Sequence, residues 1–298
     1  KAIAGPDPDF GLAPDAPDAD RRKRLAEWIT SPNNPLFARV IVNRLWQYHF
    51  GRGIVATASD FGFNGSRPTH PELLDWLARS LQENGFRLKP IHRLIVTSAT
   101  YRQSATLRAD GMKTDSDNRF LWRRSPQRLT AEEIRDAALV FSDRIDRQTG
   151  GEGYRDVRHF QYKGSNFYES IEEASESLLR RTIYRFSPRG GRNPFLDTFD
   201  CPDPSVTTPQ RPETTTPLQS LALMNNPLMF QMADSFAKHV ERQHASDVGQ
   251  QIQLACETAY ARPAGAEETA AAQRFVQQFG LASFCRVLLN SNEFLYVR

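Results

Sequence analysis

The sequence predicts a mainly α protein: an irregular multi-helix domain with long ordered loops and at most one or two short β-strands. Three observations carry that expectation. Apolar residues recur at three-and-four spacing in one stretch after another. Several of these stretches open on a polar residue followed by proline, the punctuation of a helix N-terminus, and some close on glycine. The segments between them are rich in proline, glycine and aspartate and lack strand alternation.

Residues 1–20, rich in Pro, Asp, Ala and Gly, read as a linker or N-terminal arm, with a single mainly helical domain over 21–298. The stretch lacks the apolar core of a signal peptide and has no starting methionine, so the chain is expected to be a fragment of a longer precursor. "RRKRLAEWIT" gives a short helix through Trp28 and Ile29. Asn34 then serves as N-cap with Pro35 at the first helical position; Phe37, Val40, Ile41, Arg44, Leu45 and Tyr48 follow at helical spacing until Gly51. His70 and Pro71 open "ELLDWLARSLQENG", and Pro90 opens "IHRLIVTSATYRQSA". Thr130 and Glu133 form a capping box before the stripe of Ile134, Ala137, Ala138, Phe141 and Ile145. In the middle, Gly150, Gly151 and Gly153 break the chain, and the β-prone "RRTIYRFSP" is expected to supply a short strand around Ile183 to Phe186. Helices return at Thr216-Pro217 and Asn226-Pro227, then through "DVGQQIQLACETAYARP", and finally as two helices from Glu267 to Asn292.

Composition excludes several classes. A net charge of +3 is too mild for a dedicated phosphate-binding surface, and no apolar run approaches the length of a membrane span. Only six of the 38 cations are lysine, and arginine suits bidentate contacts to carboxylate, phosphate or sulfate. Cys201, Cys256 and Cys285 are too widely spaced for a disulfide framework or zinc knuckle, and no C-x-x-C-H haem site is present. The six histidines show no metal spacing. No G-x-S-x-G, P-loop or dinucleotide fingerprint occurs.

The candidate functional residues concentrate in "FDCPDPSVTTPQRPETTTPLQSLALMNNPLMF". Asp197, Asp200 and Asp203 recur at intervals of three, with Arg211 and Glu213 nearby. They could converge on a hard cation such as calcium. The plainer expectation is a salt-bridged clasp in which Asp200 or Asp203 pairs with Arg211 or Arg181 and fastens the loop to the helical body. Arg44 beside Trp46 and Tyr48, and Tyr101 beside Arg102, could offer an arginine and aromatic surface for stacking on sugars or bases, although aromatics at helical spacing more often pack in a core. His70 reads as a helix cap or packed imidazole before it reads as a catalyst. Gly190 and Gly191, flanked by Arg189 and Arg192, could cradle an anion, or form a surface loop.

Seven ordered stretches, "NPLFARVIVNRLWQYHFGRGIV", "SRPTHPELLDWLA", "IHRLIVTSATYRQS", "RLTAEEIRDAAL", "RRTIY", "FDCPDPSVTTPQRPETTTPLQSLALMNNP" and "LLNSNEFLYV", resemble the blocks of the planctomycete cytochrome-associated C-terminal domain family, domain of unknown function 1553. The resemblance implies a bacterial domain at the C-terminal end of a large secreted or cell-surface protein, extracytoplasmic, with haem expected only in an upstream segment. It implies no agreed catalytic residues. "VQQFGLASFC" departs from the pattern in lacking a longer polar connection.

Two functional expectations follow. In one, the domain is a noncatalytic module that binds upstream domains of its own polypeptide, or a cell-surface glycan, with neither nucleic acid nor a membrane span involved. In the other, it is an enzyme acting on an extracellular polysaccharide or a redox substrate, with the Asp and Arg loop at 197–213 lining the site and His70 nearby.

Overall fold

A computed structural model describes residues 10–171 and 175–297. Its described residues divide into two compact units, the first ending at Gln127 and the second running over Arg128–Val297. The described residues are 52% helical, which makes the chain mainly α as its periodicity predicts. Residues 1–9 of the arm lie outside the described residues, and the first helix, α1 (Asp18–Thr30), starts just after Pro17. Among the described residues no helix is long and apolar enough to cross a membrane.

In the first unit, α2 (Phe37–Phe50), α3 (Pro71–Glu83) and α4 (Leu88–Thr97) bury one face each. Val42, Leu45, Trp46 and Phe50 meet Leu74, Leu77, Leu81, Ile91 and Ile95 in one apolar cluster. Two short helices follow, α5 (Ala99–Arg102) and α6 (Ala109–Thr114). Helix starts use side chains where the sequence places them, with shifted boundaries. Asn34 Oδ1 accepts from the amides of Leu36 (2.9 Å) and Phe37 (3.2 Å), so the cap forms but regular helix begins two residues after Pro35. Pro90 lies inside the first turn of α4 instead of opening it, a position where a missing amide donor costs little because those amides have no intrahelical acceptor. Gly51 ends α2 in the left-handed region.

Asn43 explains a further part of that first block. Fully buried, it accepts from Val55 N–H at 2.8 Å and donates to Val55 C=O at 3.0 Å, stitching the following loop to α2. A Cβ on Gly53 would stand 2.7 Å from the Asn43 side chain and 2.6 Å from the Val55 carbonyl, so only glycine lets the chain approach this closely.

The second unit contains α7 (Ala131–Phe141), α8 (Pro194–Thr198), α9 (Pro217–Asn225), α10 (Pro227–Gln243), α11 (Val248–Tyr260), α12 (Ala266–Phe279), α13 (Leu281–Leu289) and α14 (Asn292–Leu295). Its core gathers Ile134, Leu139, Met229, Met232, Phe236, Ile252 and Phe284 with the thiols of Cys256 and Cys285. α10 makes its main packing contact with α13. The capping box predicted at Thr130 is present: Glu133 accepts from Thr130 N–H at 2.8 Å, and the threonine hydroxyl accepts in return. At Pro217 the bonded partner is Gln219, whose Oε1 accepts from Thr216 N–H at 3.2 Å. Asn226 caps α10 through the Leu228 amide. The short connection at Gly280 joins α12 directly to α13.

The strand expected at Ile183 to Phe186 is not there. Thr182–Tyr184 is a 3₁₀ turn, fixed because Asp136 accepts from both the Thr182 amide (2.8 Å) and hydroxyl (2.6 Å). The strands of this segment lie earlier, in an antiparallel hairpin of Val157–Tyr162 and Ser165–Ser170, and two further strands, Gln127–Arg128 and Tyr296–Val297, are two residues long. Its two turn residues, Lys163 and Gly164, both have positive φ, as a type I′ turn requires. That signal was in the sequence, as an aromatic run on each side of Lys-Gly, but glycine breaks and a mixed composition masked it. Asn193-Pro194 was also passed over, although it repeats the Asn-Pro device: Asn193 Oδ1 accepts from Leu196 N–H at 3.0 Å and starts α8.

Candidate functional site

The 199–216 loop of the second unit is anchored at one residue. Asp200 sits in the left-handed region at φ 66°, a conformation aspartate tolerates better than most residues. Its carboxylate accepts from Arg128 Nη1 at 3.1 Å, from Thr214 N–H at 2.8 Å, from the Thr214 hydroxyl at 2.8 Å, and from Gln219 Nε2 at 3.4 Å. Arg128, with 5% of its side chain exposed, donates also to the Thr214 carbonyl and lies over the Phe199 ring. Burial pushes the Asp200 pKa up, but the Thr214 and Arg128 bonds outweigh it and hold the carboxyl below its usual range. The clasp is therefore Asp200–Arg128, with neither Arg211 nor Arg181 as the partner. Arg128 escaped sequence reasoning because it lies 72 residues away in a two-residue strand, outside any charge pattern.

The remaining candidates of this unit are distributed among other partners. Arg192 binds Asp197 at 2.8 Å and Asp203 at 3.3 Å. Asp203 also accepts from the Ser205 amide and hydroxyl, which lower its pKa, and Arg192 adds to the effect. Arg192 is thus occupied by carboxylates, and the Gly191 carbonyl accepts from Arg185 at 3.1 Å; the glycine pair builds no anion cradle. Arg211 reaches Glu132 of α7 at 2.7 Å. Glu132 is held below its usual range: burial acts upward, and the Arg211 contact overcomes it. Cys201 lies against Glu132, and burial with that carboxylate pushes its thiol up to about 11. Arg181 is exposed beside Asp136 at 3.7 Å. Among the described residues no three His, Cys, Asp or Glu side chains group as a metal site would require, and Asp197, Asp200 and Asp203 do not converge.

In the first unit, the arginine and aromatic pairs separate. Trp46 is buried and stacked on Phe50 at 4.3 Å, whereas Tyr48 is exposed. Arg44 is half-buried on α2, and Arg102 is exposed at the end of α5. Tyr101 is half-buried beneath the Arg124 guanidinium, 4.0 Å from its ring centroid, and meets the edges of His49 and Phe50. His49 Nε2 lies 2.8 Å from His92 Nδ1. Burial lowers the His49 pKa, and His92 and Arg124 lower it further. His70 bonds the Thr69 hydroxyl at 2.9 Å and packs on Phe120; its side chain caps nothing, so it is a packed imidazole.

Two concave features stand in the second unit. One is an apolar groove of about 240 Å³ between Met224 of α9, Phe275 and Phe279 of α12, Arg286 and Val287 of α13, and Asn290 just beyond it. The other is a smaller cavity of about 60 Å³, lined by Arg135, Tyr154, Asp156, Asn193 and apolar side chains. Neither is lined by Asp197, Asp200, Asp203, Arg211, Arg181, Arg44, His70, Tyr101 or Arg102.

The family model described as Protein of unknown function (DUF1553) matches residues 21–276. No curated protein and no solved structure matches the chain. The chain belongs to the DUF1553 family, and the match runs through both units.

Proposed function

We propose that the chain is a noncatalytic binding and positioning module of a larger, extracytoplasmic cytochrome-type polypeptide, and that its partner is another segment of that polypeptide, which carries any haem. The observation that supports this reading is the engagement of the loop carboxylates. Asp200 accepts from three residues, Asp197 and Asp203 share Arg192, and Glu132 holds Arg211. A general acid needs a carboxyl raised toward neutral pH, usually by burial without a cation. Asp200, Asp203 and Glu132 are all shifted the other way. With Asp197, Asp200 and Asp203 each bonded to an arginine, the loop is held in shape and none of the three is left as a proton donor for a substrate.

Apolar surface available to a partner lies in the groove around Met224, Phe279 and Val287, all exposed. Sedimentation velocity of the chain mixed with the separately produced upstream segment tests the reading. A complex is expected, weakened at least about tenfold by combining Met224→Asp with Val287→Asp, the scale of losing a small hot spot. Turnover of a polysaccharide or redox dye by the chain, abolished by Asp200→Asn in a folded variant, would overturn the noncatalytic reading in favour of an enzyme.

A further inference from the structure

The small cavity of the second unit is walled by Ile171, Leu178, Leu179, Phe195 and Leu228, and Tyr154, Asp156 and Arg135 also line it. Tyr154 is 7% and Asp156 5% exposed. Tyr154 Oη and Asp156 Oδ1 have no hydrogen-bond partner among the described residues. Buried polar atoms are overwhelmingly bonded in folded proteins, so two orphans lining one cavity point to something that bonds there.

Everything else about these side chains is fixed. The other oxygen of Asp156 accepts from Arg185 Nε at 2.7 Å and Asn193 Nδ2 at 2.7 Å, so its charge is already balanced. Tyr154 is held through its backbone to Tyr184 (3.0 Å) and Phe186 (2.8 Å), and the Arg135 guanidinium stands 5.2 Å from its ring centroid. Arg135 in turn donates to the carbonyls of Leu178 and Arg180 and to the Thr182 hydroxyl. A second cation would therefore meet an aspartate already neutralised and a nearby guanidinium, and an anion would meet the free carboxylate oxygen. What remains complementary is a neutral group that can both donate and accept, flanked by apolar atoms. The volume of about 60 Å³ is several times the roughly 10–15 Å³ one water needs and well short of the roughly 150 Å³ that holds benzene, so it admits a few heavy atoms of a ligand.

We propose that this cavity binds one hydroxyl-bearing arm of a neutral sugar or polyol, which donates to Asp156 Oδ1 and accepts from Tyr154 Oη while its carbon atoms lie on the apolar wall. The site rests on the noncatalytic reading and deepens it, since it supplies recognition of a hydroxyl group and no acid or base. Neither residue is visible as a site in the sequence. They are separated by a single position in a glycine-broken segment, and their relevance arises only when Asn193 and Arg185 close around them.

Saturation-transfer NMR and titration calorimetry test the proposal on the intact chain, with glucose, galactose and mannose, with glycerol and sorbitol, and with neutral oligosaccharides. Binding of at least one is expected, and Tyr154→Phe should weaken it about five- to tenfold, the worth of one hydrogen bond. The same variant should leave Tm unchanged or raised, because it removes only an unpartnered hydroxyl. No signal with any probe, or binding indifferent to Tyr154→Phe, overturns the site and assigns the cavity to water alone. Chromatography of the bound oligosaccharides separates the two readings. A ligand bound and cleaved would keep the site and defeat the noncatalytic module, whereas absent binding defeats the site and leaves the module standing on its partner complex.

Discussion

Asp200 and Asp156 are the same side chain in related circumstances, a half-buried and a buried aspartate each paired with a buried arginine side chain, yet they end differently. Asp200 spends both oxygens on Arg128, Thr214 and Gln219. Asp156 spends one on Arg185 and Asn193 and leaves the other without a partner. The first pattern is that of a fastener: all acceptor capacity is consumed in fixing a chain that has no regular structure of its own. The second keeps the side chain rigid while one lone-pair face stays open, as a binding group must. Paired charge alone therefore does not separate structural from functional aspartates; the count of unspent acceptors does.

The comparison breaks most visibly at Asp200→Ala. Removal leaves Arg128 buried without its carboxylate and frees Thr214, so a loss of about 3–5 kcal/mol is expected by urea unfolding of the second unit's transition. A loss under about 1 kcal/mol would mean that the loop is held elsewhere. The pH dependence gives a smaller effect with a fixed sign. The Asp200 carboxyl titrates lower folded than unfolded, so its contribution is present above the unfolded pKa of about 4 and disappears as pH falls through the lower folded value. Asp200→Asn should flatten the acid limb of Tm against pH below about 4; an unchanged limb would assign the acid sensitivity to Asp203, Asp247 or Glu268, which shift the same way. The smallest change is expected at Arg211→Ala. Its bridge to Glu132 is part-exposed, with 44% of the arginine and 28% of the glutamate side chain accessible, and such pairs contribute roughly 0–1 kcal/mol. A cost comparable to Asp200→Ala would make Arg211 a second anchor.

Local chemistry was legible and distant pairing was not. Helix starts could be read because a cap and its proline are adjacent residues, and Thr130, Asn34 and Asn226 all use their side chains as their neighbours suggest. The carboxylates of 197–203 could be picked out as needing cations, because nothing in capping accounts for them. Which cation could not be read, since Arg128 and Arg192 approach through tertiary folding and the sequence offers 32 arginines with no spacing rule between them. Short strands were expected in this segment but their position was not legible, for the opposite reason: the turn is local, but most of the hairpin's residues are exposed, so burial never imposed apolar alternation on them. The cavity depends on both at once, joining a glycine-broken segment to arginines whose partners follow no spacing rule.

The thiols carry one more consequence. Cys256 and Cys285 are fully buried, Cys256 is pushed up to about 11 and Cys285 further still, and half-buried Cys201 also reaches about 11 beside Glu132. Thiolate is the species that oxidants attack. With a pKa near 11, on the order of one Cys201 in ten thousand is ionised at neutral pH. Three free cysteines would ordinarily be a hazard in an oxidising compartment, through mispairing or sulfenic acid formation. Cys256 and Cys285 are quiet apolar filling and Cys201 is held protonated beside Glu132, so the same packing that builds the core makes all three poor targets for oxidation.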